Sequence, residues 1–200
     1  MAIVIVDYGA GNLRSVQKAF EAVGAQVTVT SDPRLVREAD KLVLPGVGAF
    51  GEAMRRLRAM GLVEPLLEAV DRGVPFLGIC LGLQLLFEES EELGHHQGLG
   101  IFPGRVERFR ISLKVPHIGW NEVRVVRQHP LVADIPPGQY GYFVHSYYVK
   151  PTDEAVVLAV SDYEVEFPCI CGREHVMGIQ FHPEKSQELG LQLLRNFTRM

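Results

Sequence analysis

Ile3-Val-Ile-Val-Asp-Tyr-Gly-Ala-Gly11 decides the fold class: a β-branched run too short for a helix leads through two glycines into Leu13, Val16, Phe20 and Val23, a helical spacing that stops at Gly24. The same unit recurs downstream. Gln26–Thr30 reads as a second strand, and Ser31-Asp32-Pro33 supplies a capping side chain followed by proline at the first helical position. A third strand, Lys41–Leu44, is broken by Pro45-Gly-Val-Gly48. Helical stretches at Phe50–Met60 and Leu62–Arg72 precede a fourth strand at Val74–Ile79. Strands that alternate with helices and are apolar on both faces make parallel βαβ units in a sheet covered on both sides. After Gly98 the pattern changes to short strands rich in Val, Tyr and Phe: Arg105–Phe109, Glu122–Val126, Tyr142–Val149, Ala155–Ser161, Val165–Cys171 and His175–Phe181. These are expected as hairpins and antiparallel additions to the same sheet. A closing helix from Lys185 to Met200 buries Leu189, Leu193, Leu194 and Phe197. The expectation is one α/β domain over residues 1–200, with a central mixed, largely parallel sheet flanked by helices and antiparallel additions in its C-terminal half.

The 200 residues, 47% hydrophobic and 22% charged, fit such a domain and argue against disorder. A net charge of −4 argues against a large basic footprint for nucleic acid or anionic membrane. The longest apolar stretch, Val74–Phe87, is interrupted by Gly78, Gly82 and Gln84 and falls short of a bilayer span, which needs about 20 apolar residues. The run Met1-Ala-Ile-Val-Ile-Val-Asp7 lacks the basic start and small-residue cleavage site of a secretory signal and reads as a strand. Three cysteines, Cys80, Cys169 and Cys171, form no disulfide framework and suit a reducing cytoplasm.

One of these thiols stands apart. Gly78-Ile-Cys80-Leu-Gly82 falls where a strand should meet a helix, with the spacing of a nucleophile elbow in which Cys replaces Ser. A cysteine in an apolar run reads first as a core residue, but flanking glycines at such a junction point the other way, because they let backbone approach a sharp turn. The following helix directs free N–H groups and the positive end of its dipole at the sulfur, favouring thiolate. The Leu81 N–H, next after the nucleophile, is placed to donate to a developing oxyanion. The partner motif is Gln180-Phe-His182-Pro-Glu184, which follows a strand. On an extended backbone His182 and Glu184 point to the same side, so the carboxylate can orient the imidazole while its other nitrogen faces Cys80. Cys, His and an acid so arranged perform acyl transfer through a thioester, and strand ends are where open α/β sheets carry their sites.

The elbow followed by Gln84, together with Gln180–Glu184, resembles the class I, triad-type glutamine amidotransferases, whose fold is flavodoxin-like. Asp7-Tyr-Gly-Ala-Gly-Asn-Leu-Arg-Ser-Val16, Pro45-Gly-Val-Gly-Ala-Phe50, Pro116-His-Ile-Gly-Trp-Asn121 and Tyr142-Phe-Val-His-Ser-Tyr147 resemble one branch, the glutaminase subunits of imidazole glycerol phosphate synthase. The likeness spans nearly the whole chain. It implies Cys80 as nucleophile, His182 as base and acid, and Glu184 as orienter, with glutamine hydrolysed to glutamate and ammonia. It also implies that Pro45–Gly48 supplies a second oxyanion donor at Gly48, and that Gly46, Gln84, Glu92, Ser146 and Tyr147 hold glutamine. Glu88, Glu89, Glu91 and Glu92 read equally as an ordinary acidic helix end. The branch further implies a heterodimer with a (β/α)8-barrel cyclase subunit that receives the ammonia in histidine biosynthesis. Asn12, Trp120, Tyr142 and Lys185 would lie at that interface or its gate. No cofactor or metal is implied. Two hundred residues leave no second domain for an ammonia acceptor, which agrees with a partner chain. Rival readings are a glutaminase serving another synthase, such as pyridoxal phosphate synthase, or a non-catalytic regulatory module on the same fold.

Other motifs carry less. Asp7-Tyr-Gly-Ala-Gly11 is dinucleotide-like, but Arg14 stands where that fingerprint needs a third glycine. His95-His96 lacks further ligands at metal spacing and reads as solvated loop. Cys169-Ile-Cys171 lacks zinc spacing and reads as two thiols on one strand face. His117, His129 and His145 are expected to make structural hydrogen bonds, with His145 bordering the site. Trp120 reads as either core or interface anchor.

Overall fold

The computed structural model describes residues 2–200; Met1, which the sequence reading included in the first strand run, lies outside them. The first half alternates as the spacing requires: β1 (Ile3–Val6), α1 (Leu13–Ala22), β2 (Val27–Thr30), α2 (Pro33–Arg37), β3 (Lys41–Gly46), α3 (Phe50–Ala59), α4 (Val63–Asp71), β4 (Phe76–Cys80) and α5 (Leu81–Leu85). Asp32 caps α2 by accepting the Arg34 N–H at 2.9 Å, with Pro33 opening the helix. The second half contains β5 (Phe87–Ser90), β6 (His96–Gln97), β7 (Phe102–Arg108), β8 (His117–Val125), β9 (Gln139–His145), β10 (Tyr147–Pro151), β11 (Val157–Tyr163), β12 (Val165–Arg173), β13 (Val176–Ile179) and the closing α6 (Gln187–Arg199).

Nine strands form the main sheet in the order β2-β1-β3-β4-β13-β12-β11-β8-β9. Pairing is parallel from β2 to β13 and antiparallel from there to β9. Alternate residues of β1 enter different cores: Val4 and Val6 pack on one side of the sheet with α3 and α4, Ile3 and Ile5 on the other with α1 and α6. Lys41, buried at the start of β3, donates to the carbonyls of Phe197 and Thr198 and so places a cation at the C-terminal end of α6.

Five expectations need correction. The late strands do not all extend one sheet, because β10, β7, β5 and β6 form a second, four-stranded sheet. The run expected as one strand over Tyr142–Val149 divides at Ser146 between β9 of the main sheet and β10 of the second. The acidic segment after Leu86 is no helix end: Phe87–Ser90 is a strand followed by a turn, with Glu88 accepting the Gly104 N–H at 2.8 Å and Glu91 the Arg108 N–H at 2.9 Å, tying the segment to β7. His96 likewise lies in a strand, against Gly51, not in a solvated loop. Finally, Cys169 and Cys171 do not share a face. Pairing with β11 shifts register here, so that Cys169 enters the core beneath α6 and Cys171 the opposite one.

Candidate active site

β3, β4 and β13 are neighbours in the parallel part of the sheet, with Gly46 opposite Cys80 and Ile179 opposite Ile79. Their C-terminal ends therefore bring the Pro45–Gly48 loop, the Cys80 elbow and the His182 segment to one place. Cys80 has φ +56°, a backbone state that costs a non-glycine residue about 1–3 kcal/mol. Backbone packed around the turn enforces it. A Cβ on Gly78 would press on the Gly82 backbone, and one on Gly82 would overlap the Leu44 carbonyl of β3, so α5 can leave the strand this sharply only with glycine at both positions. Cys80 is only 6% exposed and sits at the start of α5, with Leu81 as the first helical residue.

His182 Nδ1 and Glu184 Oε1 are 2.9 Å apart, and both side chains are buried. The route differs from the extended backbone expected of this segment, since Pro183–Lys185 forms a 3₁₀ turn with His182 at its start. That turn is clamped to β9: the His182 N–H donates to the Tyr142 carbonyl, the Tyr142 N–H to Ser186 Oγ, and the Ser186 hydroxyl to the His182 carbonyl. Burial by itself would lower the imidazole pKa, but hydrogen bonding and charge from Cys80 and Glu184 outweigh it and raise it to about 10. The histidine is thus held as imidazolium, the form that favours a thiolate beside it. Because the folded value lies above the unfolded one, this pairing stabilises the fold fully below about pH 6.5, and the contribution is lost as pH rises through about 10. We expect thermal unfolding midpoints of the wild type and Glu184→Gln to differ most near neutrality and below, and to converge toward pH 10; a gap independent of pH would show that the carboxylate does not support the imidazolium.

A cavity of about 400 Å³ opens over the sulfur, lined among others by Gly48, Cys80, Leu81, Gln84, Glu92, Ser146, Tyr147 and His182. Gln84 donates both amide N–H bonds inside the protein, to the Tyr147 carbonyl at 3.0 Å and to Gln180 Oε1 at 3.1 Å. Its own Oε1 is left as an acceptor suited to an ammonium. Glu92 Oε2 accepts the Phe50 N–H at the start of α3 at 2.7 Å, and half-burial raises its pKa. Gly48 has φ +97°, which explains glycine at the centre of the loop facing the elbow. Asn12 and Lys185 also line the cavity, and the Lys185 ammonium lies 5.8 Å from the Tyr142 ring, which in turn packs edge-on against Trp120 at 5.7 Å. Trp120 is 49% exposed, so it is not a core residue.

Two residues escaped the sequence reading. Gln180, fully buried, directs Nε2 at the Cys80 sulfur at 3.9 Å while orienting Gln84; its signal was a polar residue at the end of an otherwise apolar strand. Tyr8 is buried with its hydroxyl against Gly46, and burial raises its pKa. Among the described residues, no group of three or more His, Cys, Asp or Glu is placed to hold a metal ion.

The fold and site together define a glutamine amidotransferase: residues 4–200 match the family model "Glutamine amidotransferase class-I", and the chain belongs to that family. Solved glutamine amidotransferases share the fold, one at TM-score 0.77 and 21% identity with 98% of each chain covered, another from Thermotoga maritima at 0.71 and 17%, covering 100% of this chain and 96% of the other. Within the family the chain groups with the HisH subunits of imidazole glycerol phosphate synthase. It is 58% identical to that of Syntrophotalea carbinolica over 99% of this chain and 100% of the relative, and 52% identical to that of Aquifex aeolicus over 100% and 97%.

Proposed function

We propose that Cys80 attacks the side-chain carboxamide of glutamine and that the ammonia released is used by a cyclase subunit bound to this chain. The single observation that carries the reading is the convergence of Cys80, His182 and Glu184 at adjacent strand ends beneath a cavity whose wall offers the Gln84 acceptor. Glutamine enters with its α-ammonium toward Gln84 and its carboxamide over the sulfur. The thiolate adds to the carbonyl carbon, and the oxyanion takes N–H donors from Leu81 and Gly48. His182 passes its proton to the departing nitrogen, the C–N bond breaks, and ammonia leaves a glutamyl thioester. Water, deprotonated by the now neutral His182, cleaves the thioester to glutamate and returns the thiolate–imidazolium pair. An intact Cys80, His182 and Glu184 favour this over a regulatory module on the same fold, and the names of the relatives favour the histidine-pathway synthase over the pyridoxal phosphate synthase reading.

The cavity rim at Gly48, Asn12 and Lys185 and the exposed Trp120 beside Tyr142 support the reading that a partner covers this side of the site. Glutaminase activity measured for the chain alone, with the cyclase, and with cyclase plus its nucleotide ligand is expected to rise at each step, most strongly in the last mixture. Equal rates in all three would defeat the coupling.

A further inference from the structure

Two buried histidines outside the triad end at the same carbonyl as Gln84. His145 Nδ1 lies 2.9 Å from the Tyr147 carbonyl, which can only accept, so this nitrogen carries the proton. His145 Nε2 must then accept, and it lies 2.9 Å from His117 Nδ1, which therefore donates. His117 Nε2 is left as an acceptor, 3.3 Å from the Asn121 amide nitrogen, whose other N–H goes to the Asp162 carbonyl at 2.7 Å. Every donor in the series points one way, from Asn121 through two rings to Tyr147. Both imidazoles are neutral, because burial lowers His117 to about 4 and His145 to about 3. The rings are also fixed sterically: His117 is stacked between Tyr163, at 4.1 Å, and Phe143, at 4.9 Å, and Phe109 meets His145 edge-on at 5.2 Å.

We propose that His145, supported by His117, is a positioning residue for glutamine binding: it holds the Tyr147 carbonyl where that oxygen orients Gln84 and so aims the Gln84 acceptor at the substrate ammonium. The Tyr147 carbonyl receives two donors, His145 Nδ1 and Gln84 Nε2, and it lies directly after Ser146, where the chain crosses from β9 to β10. The crossing is tied to β7 by the Phe109 N–H, which donates to the Ser146 carbonyl at 3.0 Å, and by the pairing of Tyr147 with Arg108, but the Tyr147 carbonyl takes its donors from side chains, and the imidazole is the one that fixes it from the core side. The role concerns substrate binding alone, since neither ring is bonded to Cys80 or Glu184 among the described residues.

This inference rests on the glutaminase reading, and the assay separates the two. In the assembled synthase, glutamate formation is measured against glutamine concentration for wild type, His145→Leu, His145→Asn and His117→Leu, with ammonium-dependent synthesis as a check on assembly. Loss of the anchor in His145→Leu is expected to raise KM about tenfold with kcat within about twofold. His145→Asn, which keeps an N–H near the Nδ1 position, should stay within about threefold of wild type, and His117→Leu should raise KM about threefold. A proportional fall in kcat with KM unchanged, or an Asn variant as poor as Leu, would overturn the proposal. No glutamate from wild type would instead defeat the glutaminase reading itself.

Discussion

Replacing Cys80 with alanine is expected to reduce glutamine hydrolysis by roughly 10⁴-fold or more, the scale seen when a covalent nucleophile is removed, while synthesis from added ammonium salts by the assembled pair stays within about twofold. The structure makes this a clean deletion. Alanine keeps the Cβ and inherits the same φ of +56°, so backbone strain is unchanged, and only the sulfur facing the cavity is lost. No other thiol can substitute: Cys169 and Cys171 are wholly buried on opposite sides of the sheet, and burial raises both pKa values, keeping them protonated. An electrophilic glutamine analogue should accordingly label the wild type at Cys80, as read by peptide mass spectrometry, and leave Cys80→Ala unlabelled. Loss of ammonium-dependent synthesis as well would assign Cys80 a structural role, and retained hydrolysis would remove it from the mechanism.

The contrast among the three cysteines shows what the chain reveals before it folds. Cys80 was legible because its glycines, its place between strand and helix and a distant His-Pro-Glu all agree on one site. The parallel half was legible for a related reason: period, glycine stops and the Asp32-Pro33 cap are local signals, and here the tertiary structure does not contradict them. The second half depends on long-range pairing. Glu88 to Glu92 carry good helix formers, yet Glu88 and Glu91 find backbone N–H groups of β7 and Glu92 that of Phe50, and these contacts override propensity. Tyr142–Tyr147 contains no glycine or proline to mark where β9 ends, because the break is fixed by long-range contacts with no sequence signature: the Phe109 N–H on the Ser146 carbonyl and the His145 ring on the Tyr147 carbonyl. The His182–Glu184 contact was anticipated although its backbone was not, since a side-chain pair two residues apart can close through a 3₁₀ turn as well as through an extended segment.

Gly82→Ala tests the elbow from the side of the backbone. The added methyl would overlap the Leu44 carbonyl oxygen, and neither side can yield: that carbonyl belongs to β3, buried between two neighbouring strands, and Gly82 lies in the first turn of α5. Rigid backbone on both sides puts the substitution at the severe end of overpacking, roughly 3–5 kcal/mol, which for a domain of this size lowers the unfolding midpoint on the order of 10 °C. Gly73→Ala is the matched control. Gly73 also has positive φ, +78°, but a Cβ there meets nothing, so only the conformational cost of about 1 kcal/mol applies. The two variants separate steric need from backbone preference, and the elbow adds a second readout. Relief of the clash must shift α5 away from β3, carrying the Leu81 N–H and Gln84 with it, so Gly82→Ala protein that remains folded at low temperature should still lose most glutaminase activity. Gly73→Ala should keep it. If Gly82→Ala were as stable and active as Gly73→Ala, the close approach of α5 to β3 would not be what holds Cys80 in its strained turn.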